Sequence, residues 1–200
     1  VVIALLDELG VARASLVGNS LGGAVAALVA AEHPGRVERL VLIDAAGFNL
    51  LPAERPALVR LTGHPLAEWL LRVLPLRRLV VEQGLSQVLH DRKQLTSERL
   101  EEYLAAASRP GTLASIRSLS ASPLPGPQAF EAALRGIVAP TLVIWGSEDS
   151  WIPPGHSDRF VAAIGGARKV LLPGVGHVPE EEDPKAVNGL LREFLGAGPS

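Results

Sequence analysis

The sequence predicts an α/β domain with a mostly parallel sheet flanked by helices, and three observations lead there. Apolar, β-branched runs recur without polar alternation at Leu40–Ile43, Thr141–Trp145 and Lys169–Leu172, as strands covered on both faces require. Stretches of helical length and periodicity lie between and after them. Gly-rich turns follow the ends of the runs. Two hundred residues, 48% hydrophobic and 20% charged, are enough for one core and lie outside the composition of a disordered chain.

Taken in order, residues 1–9 (VVIALLDEL) read as a helix stopped at Gly10. Ala14–Val17 is a short apolar run ended by Gly18, and Leu21–Ala31 an Ala-rich helix that stops near His33-Pro34-Gly35. The three longer apolar runs are the remaining strands. Helices are expected around 156–164, between the second and third of them, and at 184–195 after the third. Asp183-Pro184 supplies an N-cap and a first-turn proline for the last helix. The acidic run Glu180–Asp183 reads as a solvated face favoured by the positive end of that helix's dipole.

Residues 48–136 differ in kind, with helical periodicity, several Pro and Gly breaks and no convincing strand. The reading is therefore a core made of 1–47 and 137–200, interrupted by a helical insertion at 48–136. Within the insertion, Leu66–Leu71 and Leu76–Leu89 read as amphipathic helices, Thr96-Ser97-Glu98-Arg99 as a helix start, and Ser120–Gln128 as the linker back to the sheet.

Composition removes several classes of function. Nineteen Lys and Arg against 21 Asp and Glu give a formal charge of −2, so there is no basic footprint for nucleic acid and no polybasic membrane patch. With no Cys, disulfides, thiolate metal sites and cysteine nucleophiles are excluded. No apolar run reaches the roughly 18 residues of a membrane span. The expectation is a soluble, cytoplasmic protein of undetermined oligomeric state. The chain has no Met and opens in the middle of an apolar helix face, so residue 1 is expected to lie downstream of the natural start, which leaves a signal peptide open.

Gly18-Asn19-Ser20-Leu21-Gly22 matches G-x-S-x-G and lies between a predicted strand and a predicted helix, the context in which that pattern presents a serine at the apex of a tight turn. Closing such a turn needs positions without Cβ, and Gly18, Gly22 and Gly23 offer them. A phosphate cradle at the helix N-terminus is the competing use of a Gly-rich turn. A serine hydroxyl needs a base within reach and a third group to orient that base. Asp149 lies in the loop after the Thr141–Trp145 run and His177 in the loop after Lys169–Leu172, both at the C-terminal edge where open α/β sheets gather their sites. Of the five histidines, His33 ends a helix, His64 and His90 fall in the insertion and His156 opens a helix; only His177 follows a strand. Asp44, after Leu40–Ile43, competes with Asp149 for the acid's role but is read as bonding local backbone, and Glu148 is a weaker competitor. The acidic cluster gives no reason to expect a metal.

GNSLGG at 18–23, WGSEDSWIP at 145–153 and GHVPEEEDP at 176–184 together resemble the α/β-hydrolase superfamily, in particular its cap-bearing serine hydrolases. The resemblance runs from residue 1 to about 195 and aligns the 48–136 insertion with the family's variable cap. It implies Ser20 as nucleophile, Asp149 as triad acid, His177 as base and the Leu21 backbone N–H as one oxyanion donor, with no cofactor. The first strands of the family's sheet and the His-Gly loop that supplies a second oxyanion donor would precede residue 1, and Gly63-His64-Pro65 has the wrong order to replace that loop. This chain alone is therefore expected to be a poor or inactive enzyme, because losing one such donor costs about 10²–10³ in turnover. The Ala14–Val17 strand is expected to show an uncovered, aggregation-prone edge.

The reaction this predicts is hydrolysis of an ester or related acyl bond of a small, apolar substrate, with Leu58, Leu61, Leu66, Trp69, Leu70 and Leu74 of the cap available to line an acyl pocket. The alternative is hydrolysis of a C–C bond in a vinylogous diketone acid. The elbow is similar to that of the meta-cleavage-product hydrolases, although those usually carry an aromatic directly after the base His, where this chain has Val178. A non-catalytic binder of a small apolar ligand is the reading from outside enzymology.

Overall fold

The computed structural model describes residues 1–48, 77–112, 115, 118 and 125–196. Leu58, Leu61, Leu66, Trp69, Leu70, Leu74 and Gly63-His64-Pro65 lie outside the described residues.

The first half of the core alternates helix and strand: α1 (Val2–Glu8), β1 (Ala14–Asn19), α2 (Ser20–Glu32) and β2 (Val37–Ile43). From the 48–136 segment come α3 (Arg77–Val88), α4 (Ser97–Ala107) and α5 (Pro127–Leu134). The chain then returns through β3 (Thr141–Gly146), α6 (Gly155–Ala163), β4 (Arg168–Leu172), the single turn α7 (Pro179–Glu182) and α8 (Pro184–Gly196). The four strands form one parallel sheet in the order β1-β2-β3-β4.

Uninterrupted apolar strands give two cores because successive side chains point to opposite faces. Leu40, Leu42, Val143 and Trp145 join Ala24 and Ala27 of α2, Phe130 and Leu134 of α5 and Phe160 of α6 on one face. Val41, Ile43, Leu142 and Ile144 meet Val187 and Phe194 of α8 on the other. The architecture is a three-layer α/β/α sandwich. Helix α5 differs from the sequence reading, which divided its residues between linker and insertion. Gly126 precedes a first-turn proline there, and Phe130 is fully buried among Phe48 and Phe160 at ring separations of 5.6 and 6.1 Å. The aromatic anchor outweighs the local Pro and Gly signals.

Capping follows the sequence. Asp183 Oδ1 accepts the Ala186 N–H at 3.0 Å, and Thr96 Oγ1 accepts that of Arg99 at 3.2 Å. Among the described residues β1 pairs only with β2 and forms an edge of the sheet, with Val17 45% exposed. Among the described residues no helix is long and apolar enough to cross a membrane.

Glycine is obligatory where backbones cross. A Cβ on Gly146 would lie 2.0 Å from the Gly176 carbonyl oxygen and 2.4 Å from that of Val175, so the end of β3 and the loop after β4 touch only because that carbon is missing. Gly189, inside α8, has no described atom near its missing Cβ. Gly146→Ala should cost about 3 kcal/mol or more through forced backbone separation. Gly189→Ala should stabilise by roughly 0.5–1 kcal/mol through helix propensity. Urea unfolding midpoints of the two variants check both signs.

Candidate active site

In a parallel sheet every strand ends at the same edge. The pairings Asn19↔Ile43, Ile43↔Ile144 and Gly146↔Leu172 align the four C-termini. Ser20 follows β1, Asp44 follows β2, and Asp149 and His177 lie in the loops after β3 and β4, so each strand delivers one polar residue to that edge.

Ser20 occupies the apex of the β1–α2 turn with φ at 51°, an uncommon left-handed backbone for a residue with a side chain. The turn is as tight as the motif predicts. A Cβ on Gly18 would lie 2.4 Å from the Gly22 oxygen, and one on Gly23 would lie 2.5 Å from the Ala45 Cβ. Gly22 departs from the expectation: its Cβ position is open, so the close approach rests on Gly18 and Gly23 alone. The Ser20 carbonyl accepts the Ala46 N–H at 2.9 Å, which ties the elbow to the turn after β2. Leu21 is the second residue of α2, and its N–H belongs to the first turn, whose donors have no intrahelical acceptor.

The sequence-predicted trio converges. His177 Nε2 lies 3.0 Å from Ser20 Oγ, and His177 Nδ1 lies 2.8 Å from Asp149 Oδ2. Both Asp149 and His177 are buried, at 5% and 3% exposure. The other Asp149 oxygen, Oδ1, accepts the backbone N–H groups of Trp151 at 2.8 Å and Ile152 at 2.9 Å. Those two bonds fix the carboxylate's other oxygen toward the imidazole. Trp151 lies against the imidazole, with ring centroids 5.5 Å apart and planes 28° from parallel.

Neither competing acid is hydrogen-bonded to the His177 ring, which bonds Asp149 and Ser20. Glu148 is exposed and accepts the Ser147 hydroxyl. Asp44 is fully buried, and its Oδ1 accepts the Gly146 N–H at 3.0 Å. That partner is distant in sequence, contrary to the local bonding expected.

Asn19, an elbow residue in the sequence reading, has a further part: it donates through Nδ2 to the carbonyls of His177 at 3.1 Å and Ile43 at 3.4 Å, joining the turns after β1, β2 and β4. The acidic run is not a solvated face. Glu181 accepts from the Tyr103 hydroxyl and pairs with Arg99 of α4. Burial, and then that carboxylate, push the Tyr103 phenol upward. Glu182 bridges further: Oε1 accepts the Gly176 N–H at 2.7 Å, and Oε2 accepts those of His90 at 2.8 Å and Asp91 at 3.3 Å. One carboxylate thus clamps the residue before His177 to the segment after α3. The His177 N–H itself donates to the Val88 carbonyl at the end of α3, at 2.8 Å. The only sequence signal for this clamp was the density of carboxylates beside the histidine.

Residues 1–190 match the family model described as the alpha/beta hydrolase family. The chain is 32% identical to the 2-hydroxy-6-oxo-6-phenylhexa-2,4-dienoate hydrolase of Comamonas testosteroni, across 96% of this chain and 65% of that protein. It is equally 32% identical to the 2-hydroxymuconate semialdehyde hydrolase of Pseudomonas sp. strain CF600, with the same coverage. Among solved structures it resembles the meta-cleavage product hydrolase of Pseudomonas fluorescens IP01, with a TM-score of 0.79 and 26% identity over 98% of this chain and 69% of that one. The chain spans about 65% of the length of the curated relatives it matches.

Removing the Glu182 carboxylate leaves three backbone donors without their acceptor. Glu182→Ala should therefore lose roughly 2–3 kcal/mol, with Glu182→Gln intermediate, in chemical denaturation; an unchanged midpoint for Glu182→Ala contradicts the clamp. From its fold, the family model and these relatives, the chain belongs to the alpha/beta hydrolase family.

Proposed function

We propose that the protein is a serine hydrolase of C–C bonds acting on 2-hydroxy-6-oxo-dienoates, with Ser20 as nucleophile, His177 as base, Asp149 as the acid that orients it, and the Leu21 N–H as an oxyanion donor. The single observation that carries the chemistry is the Ser20–His177–Asp149 chain of contacts at 3.0 and 2.8 Å. The substrate class is drawn from the relatives named as hydrolases of such dienoates, and this reading replaces the ester as the favoured substrate. Residues 48–136 are proposed to act as a cap over the site.

The substrate chemistry narrows the reaction. A 2-hydroxy-6-oxo-dienoate contains no ester or amide, so hydrolysis must break the C–C bond next to its 6-oxo group. Ketonisation of the 2-hydroxydiene moves a proton to C5 and makes that carbon a viable leaving group. Ser20 Oγ then attacks C6 as His177 Nε2 takes its proton, and the oxyanion turns toward the start of α2. When the C5–C6 bond breaks, its electron pair passes into the vinylogous enolate and His177 returns the proton. Water attacks the acyl-serine with His177 again as base, releasing the acid. Throughout, Asp149 stays ionised and holds the imidazole in the tautomer that this shuttle needs.

Where the resemblance leads one to expect an aromatic beside the base, this chain has Val178, and Trp151 from the acid's loop supplies the ring face instead. A purely binding role would not need the strained Ser20 backbone or a fully oriented imidazole, and the site has both.

The protein should consume a 2-hydroxy-6-oxo-dienoate in preference to p-nitrophenyl esters, followed by loss of the dienoate's absorbance. Ser20→Ala should reduce that turnover by about 10³ or more. Rapid ester hydrolysis with the dienoate untouched would return the assignment to an esterase.

A further inference from the structure

Among the described residues the mechanism leaves a buried carboxylic acid unused. Asp44 stands at the end of β2 with no solvent exposure and with φ at 42°. Its Oδ1 is satisfied by the Gly146 N–H, but its Oδ2 is buried and has no hydrogen-bond partner among the described residues. The Asp149 carboxylate is its neighbour: one polar atom from each of Asp44, Asp149 and His177 lies within 4.8 Å of the other two. Two ionised carboxylates this close and this buried repel strongly, and an ionised Asp44 would carry an unpaired charged oxygen.

The distribution of donors decides which of the pair holds the proton. Among the described residues Asp149 accepts from Trp151 N, Ile152 N and the His177 ring, whereas Asp44 accepts only from Gly146 N. Donors favour the charged form of an acid, so Asp149 is the anion. A neutral Asp44 has one O–H to give, its free oxygen is Oδ2, and Asp149 is the acceptor beside it.

We propose that Asp44 is a neutral carboxylic acid in the folded protein and that its Oδ2 hydroxyl donates to Asp149, making Asp44 a positioning residue for the triad acid. Asp149 then has a donor from each direction: its own loop, the imidazole and the end of β2. The added donor holds the Asp149 carboxylate in place beside the His177 ring. Burial, followed by the charge of Asp149, raises Asp44 to about 10, with the Gly146 N–H pulling the other way. The remaining titratable neighbours are His177 from the loop after β4 and Glu180 from α7, whose own carboxyl burial raises. The inference draws on the proposed triad only for its effect on the reaction; the proton on Asp44 is testable without any turnover.

The sign follows from linkage. In the unfolded chain Asp44 ionises near pH 4, so above that pH folding takes up a proton, and the folded state loses stability as pH rises toward 10. Asp44→Asn keeps a carbonyl for Gly146 and an N–H for Asp149 but does not titrate. The difference in Tm between Asp44→Asn and the wild type should therefore widen in favour of the variant by roughly 5–10 °C between pH 5 and pH 8. The infrared spectrum of the wild type at pH 7 should contain a protonated carboxylic acid C=O band that Asp44→Asn removes. Labelling of Ser20 by a fluorophosphonate should slow about tenfold in Asp44→Leu and be largely rescued in Asp44→Asn. A Tm difference that stays flat from pH 5 to pH 8, or the absence of the infrared band, overturns the proposal whether or not the protein turns over a dienoate. Equal labelling rates in Asp44→Leu and wild type overturn the positioning role.

Discussion

Parallel register is the constraint on which the rest depends. Because β1 to β4 run the same way and are paired through their C-terminal ends, four turns far apart in sequence open side by side. The residues they carry need no long reach to meet, and a 3.0 Å contact can join positions 157 residues apart. The central strands β2 and β3 hold this register through burial on both faces, and a one-residue slip would exchange the two faces and take the alignment of the turns with it.

Glycines turn this alignment into contact. At Gly18, Gly23 and Gly146 the missing Cβ is the space into which another backbone comes. Polar braces then fix what the close approach permits. Asn19 holds the His177 carbonyl, Val88 receives the His177 N–H, and the two N–H groups after Asp149 turn its carboxylate toward the imidazole. The left-handed backbones of Ser20 and Asp44 occur at this edge, and neither residue is glycine. Strain of that kind persists only where the surroundings over-determine it.

The sequence made the sheet and the Ser20, Asp149 and His177 trio legible because their signals are local. A continuous apolar run, a G-x-S-x-G turn after a strand, and lone polar residues just beyond strand ends can each be read within ten residues. The missed features depend on partners far away. Glu182 looks like any acid near a helix start until His90 and Asp91, about ninety residues earlier, supply their N–H groups. Asp44 seemed a residue bonded to its own turn, yet it faces Gly146. Helix α5 was obscured by its own Pro and Gly, whereas its place is set by Phe130 among the rings of Phe48 and Phe160. The expectation for Gly22 failed differently: the motif marks the position, but the crowding falls on Gly23, which meets Ala45.

The central claim is that Ser20 is activated by an imidazole delivered from the far end of the chain. Mass spectrometric mapping of the protein after exposure to a fluorophosphonate reads this directly. One adduct on the Ser20 peptide, lost when His177 is replaced by Ala, is the outcome the account predicts. An unmodified Ser20 in the folded protein, or labelling that persists without the His177 ring, would contradict it.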